Sequence, residues 1–356
     1  MLSKVFEGKK VLIFGGTGSL GHVLVEHLIE GIYGKPEKII IFSRDEAKQH
    51  FMRVAYSKHK KPTDEIIYSD FKRLVNFIIG DVRNYTSVCG AINNVDIIIN
   101  AAALKQVPSC EYFVHEACQT NILGAQNIVN AIKFQNAPVE CVVGVSTDKA
   151  CLPINVMGMT KALQERTFIS ANLRNEKTRF ICVRYGNVLA SRGSVIPLFH
   201  EQIKNGGPVT ITASDMTRFL LPLSHAVTTI TTAIHEANRG EIYVPKIKSA
   251  RITDIAKAMI GDKSIAIKEI GIRPGEKIHE SMISHEEGSH SQDRGEYFSI
   301  LPMLPELHAE PNMKMYGRPY TSNDSVMTYQ ETYDFLKLHK LLPEQADTID
   351  SETLLA

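Results

Sequence analysis

Short apolar runs that alternate with helical stretches constrain the fold of this chain more than any other feature. The runs KVLIF, KIIIF, VNFIIG, DIIINAAA, VECVVGVS and RFICVRYGN begin at residues 10, 38, 75, 96, 139 and 179. Continuous apolar runs of this length are typical of strands buried on both faces, and helical patterns such as 115–134 and 159–175 separate them. The alternation predicts an α/β fold built on a doubly wound (Rossmann) parallel sheet.

The character of the chain changes after residue 187, where glycine and proline recur in SRGSVIP, NGGPVTI, GIRPGEK and YGRPY. We predict a smaller mixed α/β lobe from 188–218 plus about 248–340 that binds the substrate. The Rossmann domain would comprise 1–187 plus about 219–247, with GEIYVPK returning to its sheet. Residues 341–356 are predicted to be a polar tail, and the partly basic insertion 57–73 a solvated loop, with a partner contact left open.

Composition excludes several function classes. Of 356 residues 44% are hydrophobic and 22% charged, and the net charge of +1 disfavours nucleic acid and anionic membranes as partners. The six cysteines lack the spacing of a metal site or disulfide framework, so no metal is expected. The chain shows no signal-peptide pattern and no apolar run near ~20 residues, which predicts a cytoplasmic protein without membrane insertion.

The stretch GGTGSLG places Gly15, Gly18 and Gly21 between the first predicted strand and a helix. The first glycine permits a tight turn, the second lets the backbone approach a pyrophosphate, and the third lets helix and strand pack closely. An anion is then stabilised by the free N–H groups of the helix N-terminus. The strand and helix on either side make this a predicted dinucleotide site rather than a chance glycine turn.

Residues after the next strands extend this site. Ser43 and Arg44 follow the second strand, where an NAD site usually has an acid, and a guanidinium there suits a 2′-phosphate. We therefore predict NADP in preference to NAD and leave NAD open. Asp81 suits a contact to the adenine edge, and the small residues 101–103 let the chain pass beneath the cofactor.

Taken together, these features resemble an extended short-chain dehydrogenase/reductase. The stretches AAALKQVPSCEYFVHEACQTNILG, STDKACLPINVMGMTKA, RYGNVLASRGSVIPLF, DMTRF and IRPGEKIHE narrow the resemblance. They are similar to the UDP-N-acetylglucosamine 4,6-dehydratases of surface polysaccharide and glycan biosynthesis. The similarity is strongest to the branch that inverts C5 on the way to amino-deoxy-L-sugars, in which methionine replaces the usual tyrosine. It spans about residues 8–340, and the insertion 57–73 and LLPLS after MTRF depart from it.

The resemblance implies a lyase reaction in which C4 is oxidised, C5 deprotonated and water lost from C6, before hydride returns to C6. The cofactor would be tightly held and recycled. Asp148 would be the general acid toward the C6 oxygen and Lys149 the base at C5. Both would need shifted pKa values, a carboxyl kept protonated and an amine kept neutral by burial. Thr147 would hydrogen-bond the C4 oxygen.

Met157 stands where the wider superfamily has its catalytic tyrosine, four residues before Lys161. One helical turn separates the two, so they share a face. In the superfamily this lysine holds the nicotinamide ribose. Without a tyrosine to activate, Lys161 is predicted to accept the C4 proton directly or through a water, while Met157 fills space against the sugar or nicotinamide.

The resemblance also indicates the remaining contacts. Asn121 is predicted to brace the elements that carry the lysines, and His279 is assigned no role. The predicted cofactor-binding residues are Gly15, Thr17, Gly18, Ser19, Leu20, Gly21, Ser43, Arg44, Asp81, Val82, Ala101, Ala102, Ala103, Lys161, Tyr185 and Asn187. The predicted residues for UDP-N-acetylglucosamine are Lys105, Asn187, Arg192, Ser194, Val195, Arg218, Arg273 and Glu276. Relatives of this kind form homo-oligomers, often hexamers.

Two alternatives stay open at this point. A UDP-hexosamine 4-epimerase shares the first oxidation step but would normally keep the tyrosine and has no need of Asp148 beside Lys149. A non-catalytic NADP-binding sensor would explain the missing tyrosine, but it has no need of the acid, the lysines and a full nucleotide-sugar lobe.

Overall fold

The computed structural model describes residues 2–58, 74–189, 195–307 and 314–348. The strands in this part of the chain are β1 Lys10–Phe14, β2 Lys38–Ser43, β3 Val75–Ile79, β4 Ile97–Asn100, β5 Cys141–Val145, β6 Arg179–Val183, β7 Asn187–Val188, β8 Val209–Ile211, β9 Thr217–Leu221, β10 Ile242–Pro245, β11 Ser249–Arg251, β12 Ile267–Glu269, β13 Ser281–Ile283, β14 Ser291–Arg294, β15 Tyr297–Ile300 and β16 Tyr320–Thr321.

The α-helices are α1 Ser19–Glu30, α2 Glu46–Lys58, α3 Tyr85–Ala91, α4 Val107–Tyr112, α5 Val114–Ala117, α6 Gly124–Gln135, α7 Val156–Ala171, α8 Val195–Lys204, α9 Leu223–Glu236, α10 Ile252–Ile260, α11 His285–Gly288 and α12 Tyr329–Leu338. A π-helical turn, Cys118–Leu123, joins α5 to α6, and a 3-10 turn, Asp148–Ala150, follows β5. No helix within the described ranges combines the length and the apolar character that crossing a bilayer requires.

A nine-stranded sheet forms the centre of the molecule, in the order β3-β2-β1-β4-β5-β6-β10-β15-β14. In this sheet order, each strand from β3 to β10 is parallel to the next one. The buried residues of these strands belong to the main hydrophobic core. This arrangement confirms the predicted doubly wound α/β fold. The strand in GEIYVPK does return to the sheet, where β10 pairs with β6.

The far edge of the sheet differs from the predicted domain division. The prediction assigned all of about 248–340 to the smaller lobe, but β15 pairs with β10 and β14 with β15, both antiparallel. Tyr297, Phe298 and Ile300 belong to the main core. The apolar run YFSI is buried by completing an edge that β10 would otherwise leave unpaired.

The smaller lobe has a hydrophobic core of its own, to which α8, α10 and α12 contribute Phe199, Ile255 and Leu336. Its short sheets have the orders β11-β9-β7 and β12-β8. The predicted polar tail begins too early, because Leu341 and Leu342 are buried in this core. These two leucines follow α12 closely in sequence and pack in the same core as Leu336 of that helix. Residues 349–356 and nearly all of the insertion 57–73 lie outside the described part.

A close contact joins α7 to the turn after β5. A Cβ atom placed on Gly158, in the first turn of α7, would lie 2.2 Å from the Lys149 backbone oxygen. The helix also begins with a cap, since the Gly158 N–H donates to Asn155 Oδ1 at 2.8 Å. Glycine at this position therefore sets how closely Lys161, on the same helix, approaches Asp148 and Lys149.

Substitution of this glycine is a direct test of that contact. Gly158→Ala is expected to lower the free energy of unfolding by about 1–3 kcal/mol, because an added methyl group meets backbone that can yield only by moving the helix. Gly90→Ala is the matched control, since Gly90 is also helical and an added Cβ meets nothing within 4 Å. The control is expected to gain up to about 1 kcal/mol. Equal changes in urea unfolding would contradict this account.

Candidate active site

A cleft of about 1040 Å³ lies at the carboxyl ends of the parallel strands and reaches into the smaller lobe. This is where open α/β sheets hold their ligands. Every predicted site residue that the structure describes lines the cleft: Gly15, Thr17, Gly18, Ser19, Leu20, Gly21, Ser43, Arg44, Asp81, Val82, Ala101, Ala102, Ala103, Lys105, Thr147, Asp148, Lys149, Met157, Lys161, Tyr185, Asn187, Val195, Arg218, Arg273 and Glu276. Arg192 and Ser194 lie outside the described residues.

The glycine turn between β1 and α1 is tightly packed. Gly15 has φ +76°, and a Cβ there would lie 2.7 Å from the Ala102 backbone nitrogen. A Cβ on Gly21 would lie 2.2 Å from the Gly16 oxygen. No side chain caps α1 at Gly18. The exposed first turn of α1, lined by a close-running backbone, fits the pyrophosphate of a dinucleotide.

The end of β2 carries the groups predicted to meet the adenosine ribose. Ser43 Oγ is buried and lies 2.9 Å from Thr17 Oγ1. Asp81 is bound through both carboxylate oxygens by Arg83, whose hydrogen bonds hold the pKa of Asp81 below its ordinary value. Arg44 is 4.0 Å from Asp81 and its side chain is 60% exposed. Arg44 is thus held far less firmly than Arg83.

The turn after β5 positions the predicted acid and base. The Asp148 N–H donates to the Tyr185 oxygen at 3.1 Å, so the turn is tied to the segment after β6. Thr147 caps the turn, and its hydroxyl donates to Asp148 Oδ1 at 2.9 Å. The predicted hydrogen bond of Thr147 to the substrate would have to replace or share this contact. Asp148 Oδ2 is buried without a hydrogen-bond partner among the described residues.

Burial and neighbouring charges act differently on Asp148 and Lys149. Burial raises the pKa of Asp148 above its ordinary value, although Lys149 opposes the shift. Lys149 Nζ lies 3.1 Å from Asp148 Oδ1 and 3.2 Å from Glu280 Oε1. Burial acts to lower the pKa of Lys149, but the two carboxyl groups outweigh it and raise that pKa. The shift of Asp148 is in the direction that the predicted acid requires, whereas the shift of Lys149 is opposite to the one that the predicted neutral amine requires.

Glu280 is a site residue that sequence reasoning missed. It is buried, lines the cleft and pairs with Lys149 although 131 positions separate them. Burial acts to raise its pKa, but Lys149, Arg218 and Lys277 outweigh burial and lower it. The only signal was its place in EKIHE, directly before the apolar run of β13, and no local pattern links it to the turn after β5.

Lys161 is fixed by two acceptors. Its Nζ donates to the Val145 oxygen and to Gln164 Oε1, both at 2.6 Å. Burial lowers the pKa of Lys161 to about 8. Gln164, a second residue that sequence reasoning missed, is buried one turn further along α7 and orients the amine.

Met157 and Asn121 connect the helix to its surroundings. Met157 packs in a small apolar cluster with Cys110 and Ala117 and faces the cleft. Asn121, in the π-helical turn, donates to Thr160 Oγ1 at 2.9 Å and holds both backbone polar groups of Leu104. The prediction that Asn121 braces the lysine-bearing helix is confirmed, since Thr160 precedes Lys161.

The side of the cleft predicted to bind the nucleotide sugar holds buried polar atoms that are available for further hydrogen bonds. Asn187 Oδ1 and Glu276 Oε2 have no hydrogen-bond partner in the part of the chain that the structure describes. Arg218 is buried, donates to the Thr217 and Ile278 oxygens, and lies 3.9 Å from Glu280. The guanidinium predicted for the pyrophosphate is thus already oriented by protein groups. Within the described ranges, no cluster of His, Cys, Asp or Glu is suited to a metal ion.

Comparison with known proteins shows the family of this chain. Residues 11–302 match the family described as polysaccharide biosynthesis protein. A protein from Rickettsia canadensis (strain McKiel), named UDP-glucose 4-epimerase, is 45% identical over 302 residues, which are 83% of this chain and 84% of that protein.

Solved structures resemble the chain over most of its length. Pen from Bacillus thuringiensis matches with a TM-score of 0.84 and 32% identity over 95% of this chain and 99% of its own. DesIV, a dTDP-glucose 4,6-dehydratase from Streptomyces venezuelae with NAD and TYD bound, shares the fold with a TM-score of 0.63 and 19% identity over 76% and 86%. The chain therefore belongs to the family described as polysaccharide biosynthesis protein, and it is similar to proteins named as nucleotide-sugar epimerases.

Proposed function

We propose that this enzyme is a UDP-N-acetylglucosamine 4,6-dehydratase that inverts C5. The observation that carries the proposal is the pair formed by buried Asp148 and part-buried Lys149 after β5, which line the same cleft as Lys161. Elimination of water from C6 needs an acid at the leaving oxygen and a base at C5, whereas exchange of configuration at C4 needs neither. A buried acid with a raised pKa is the group that distinguishes the two reactions.

The cofactor proposed is NADP, held by the glycine turn and the residues after β2. When bound, the cofactor would supply hydride chemistry, with hydride removed from C4 and returned to C6, so that the reaction would be redox-neutral. Arg44 supports NADP over NAD because its exposed guanidinium is free to turn toward a 2′-phosphate. Asp45, the first acidic residue after β2 in sequence, accepts a hydrogen bond from the Lys48 backbone and lies 3.6 Å from the Lys48 ammonium.

The side chains divide the proton transfers among them. Asp148 donates its proton to the C6 oxygen as water leaves. Lys149, charged in the ligand-free protein, accepts the C5 proton after it has passed its own proton to the Glu280 carboxylate, 3.2 Å away. Lys161 accepts the proton of the C4 hydroxyl, because its lowered pKa leaves a usable neutral fraction. Met157 contributes an apolar surface that excludes water from the reacting carbons.

The remaining contacts are proposed to hold UDP-N-acetylglucosamine. Asn187 and Glu276 offer buried acceptor oxygens to donor groups of the nucleotide. Arg218 and Arg273 line the smaller-lobe side of the cleft, where guanidinium groups suit a pyrophosphate. Lys105, after β4, faces the sugar end.

A UDP-hexosamine 4-epimerase is the second candidate, because the Rickettsia relative carries the name UDP-glucose 4-epimerase. An NMR time course in D₂O with UDP-N-acetylglucosamine and catalytic NADP separates the candidates. A 4-keto-6-deoxy product with deuterium at C5 and the L-configuration supports the proposal. A 4-keto-6-deoxy product that keeps the D-configuration supports a dehydratase without inversion. UDP-N-acetylgalactosamine as the sole product indicates the epimerase, and tight NADP binding without turnover indicates a sensor.

Asp148→Asn tests the acid directly. The variant is expected to lose dehydration by about 10²–10⁴-fold, because the amide keeps the shape of the carboxyl group but has no acidic proton. Product formation is followed by the same NMR assay, and NADP binding by fluorescence is the control, which should not change. Dehydration at the wild-type rate would remove Asp148 from the mechanism.

The pH dependence of kcat/KM tests Lys161. Burial lowers the pKa of Lys161 to about 8, so the neutral amine becomes the major form as the pH rises through 8. A proton acceptor at C4 must be neutral, and kcat/KM is therefore expected to rise with pH and level off above about 8. The limb should vanish in the residual activity of Lys161→Met. Its persistence there would assign it to another group.

Arg44→Ala tests the cofactor preference. Loss of a charge-assisted contact to the 2′-phosphate is expected to weaken NADP binding about 10- to 100-fold. NAD affinity, measured in the same titration, is the internal control and should change little. Equal loss for both cofactors, or none, would contradict a 2′-phosphate contact.

A further inference from the structure

Two carboxyl groups compete for the part-buried ammonium of Lys149 in the cleft. Lys149 Nζ is 3.1 Å from Asp148 Oδ1 and 3.2 Å from Glu280 Oε1, and both carboxyl side chains are almost completely buried. Each also keeps one oxygen, Asp148 Oδ2 and Glu280 Oε2, without a hydrogen-bond partner among the described residues. Two charged carboxylates and one cation in so small a buried space would leave a negative charge uncompensated.

Position decides which carboxyl group carries the charge. Glu280 has further cations nearby, since Arg218 Nε lies 3.9 Å away and Lys277 also acts on it. Asp148 faces Lys149, the hydroxyl of Thr147 and the negative charge of Glu280. The groups that act on the cluster from all sides are thus Asp148, Lys149, Arg218, Lys277 and Glu280, and the cations gather on the Glu280 side.

We propose that Glu280 is a positioning residue that makes Asp148 the acid of this site. In the ligand-free protein it serves as the counter-ion of Lys149, and its negative charge keeps the proton on Asp148. The inference rests on the proposed dehydration for its catalytic meaning, but the protonation pattern belongs to the ligand-free protein. The role of Glu280 as a counter-ion explains why this residue is buried in the cleft, because an unpaired carboxylate there would repel a UDP-sugar.

The consequence is that the two carboxyl groups hold opposite protonation states. Like charges close together push two pKa values apart, and the group with fewer cations keeps the proton. Removing the charge of Glu280 therefore lowers the pKa of Asp148. It also lowers the pKa of Lys149, which loses one of its two anionic partners.

pH-difference infrared spectroscopy of the ligand-free protein tests this pattern. The carbonyl band of a protonated carboxyl group is followed against pH in wild type, Asp148→Asn and Glu280→Gln. The band that titrates above the ordinary range of aspartate is expected to disappear in Asp148→Asn. In Glu280→Gln its midpoint is expected to fall by about 1–2 pH units, the size of shift that a nearby like charge produces.

Either of two results would overturn the proposal. A band that survives in Asp148→Asn means that another group carries the proton, and this isosteric variant gives its answer even if Glu280→Gln does not fold. An unchanged midpoint in a folded Glu280→Gln protein means that Glu280 does not control Asp148. Circular dichroism establishes folding, and Glu280→Asp, which keeps the charge, is expected to retain most of the raised midpoint.

The pH–rate profile gives a second readout. The limbs that titrate with Asp148 and Lys149 are expected to move to lower pH in Glu280→Gln, while the limb near 8 that we assign to Lys161 stays in place. A purely structural role would lower the rate without moving any limb, and that result would also count against the proposal. Because the infrared measurement needs no substrate, failure of the dehydration assay leaves its outcome readable.

Discussion

The pairing of the part-buried Lys149 ammonium with two buried carboxyl groups is the constraint on which the arrangement of the site depends. A buried charge costs several kcal/mol unless partners and hydrogen bonds compensate it. One partner, Asp148, is its neighbour in sequence, and the other, Glu280, lies directly before β13. The Glu280 backbone is pinned in turn, because its N–H donates to Ser322 Oγ and its oxygen accepts from the Ser322 N–H. The charge thus ties the turn after β5 to the residues beside β13 and β16.

A second buried charge cluster holds α7 in position. Arg184 lies between Glu165 of α7 and Glu287 of α11, at 2.7 and 2.8 Å, and is fully buried. Ser146, directly after β5, donates to the same Glu165. These bonds fix the helix that carries Lys161 against the residues between β5 and the turn that carries Asp148. Removing one member would leave an uncompensated buried charge, so the cluster specifies a single arrangement of the two elements.

Much of the fold could be predicted because its signals are local. Runs such as KVLIF and KIIIF are apolar at every position after the first lysine, a pattern that suits strands covered on both faces, and they form β1 and β2. The glycine turn after β1 could be located for the same reason. The edge formed by β14 and β15 could not, because a short strand such as YFSI joins whichever edge is open, and that choice is made by packing.

The sequence by itself determined the parallel sheet, the glycine turn and the order of polar residues at the strand ends, because each depends on neighbouring residues. Only the tertiary structure decided the charge states. Asp148 and Lys149 are adjacent in sequence, yet their pKa values follow from burial and from Glu280, which is remote in sequence. Coulombic interactions act through space, and the separations that set them exist only after the chain has folded.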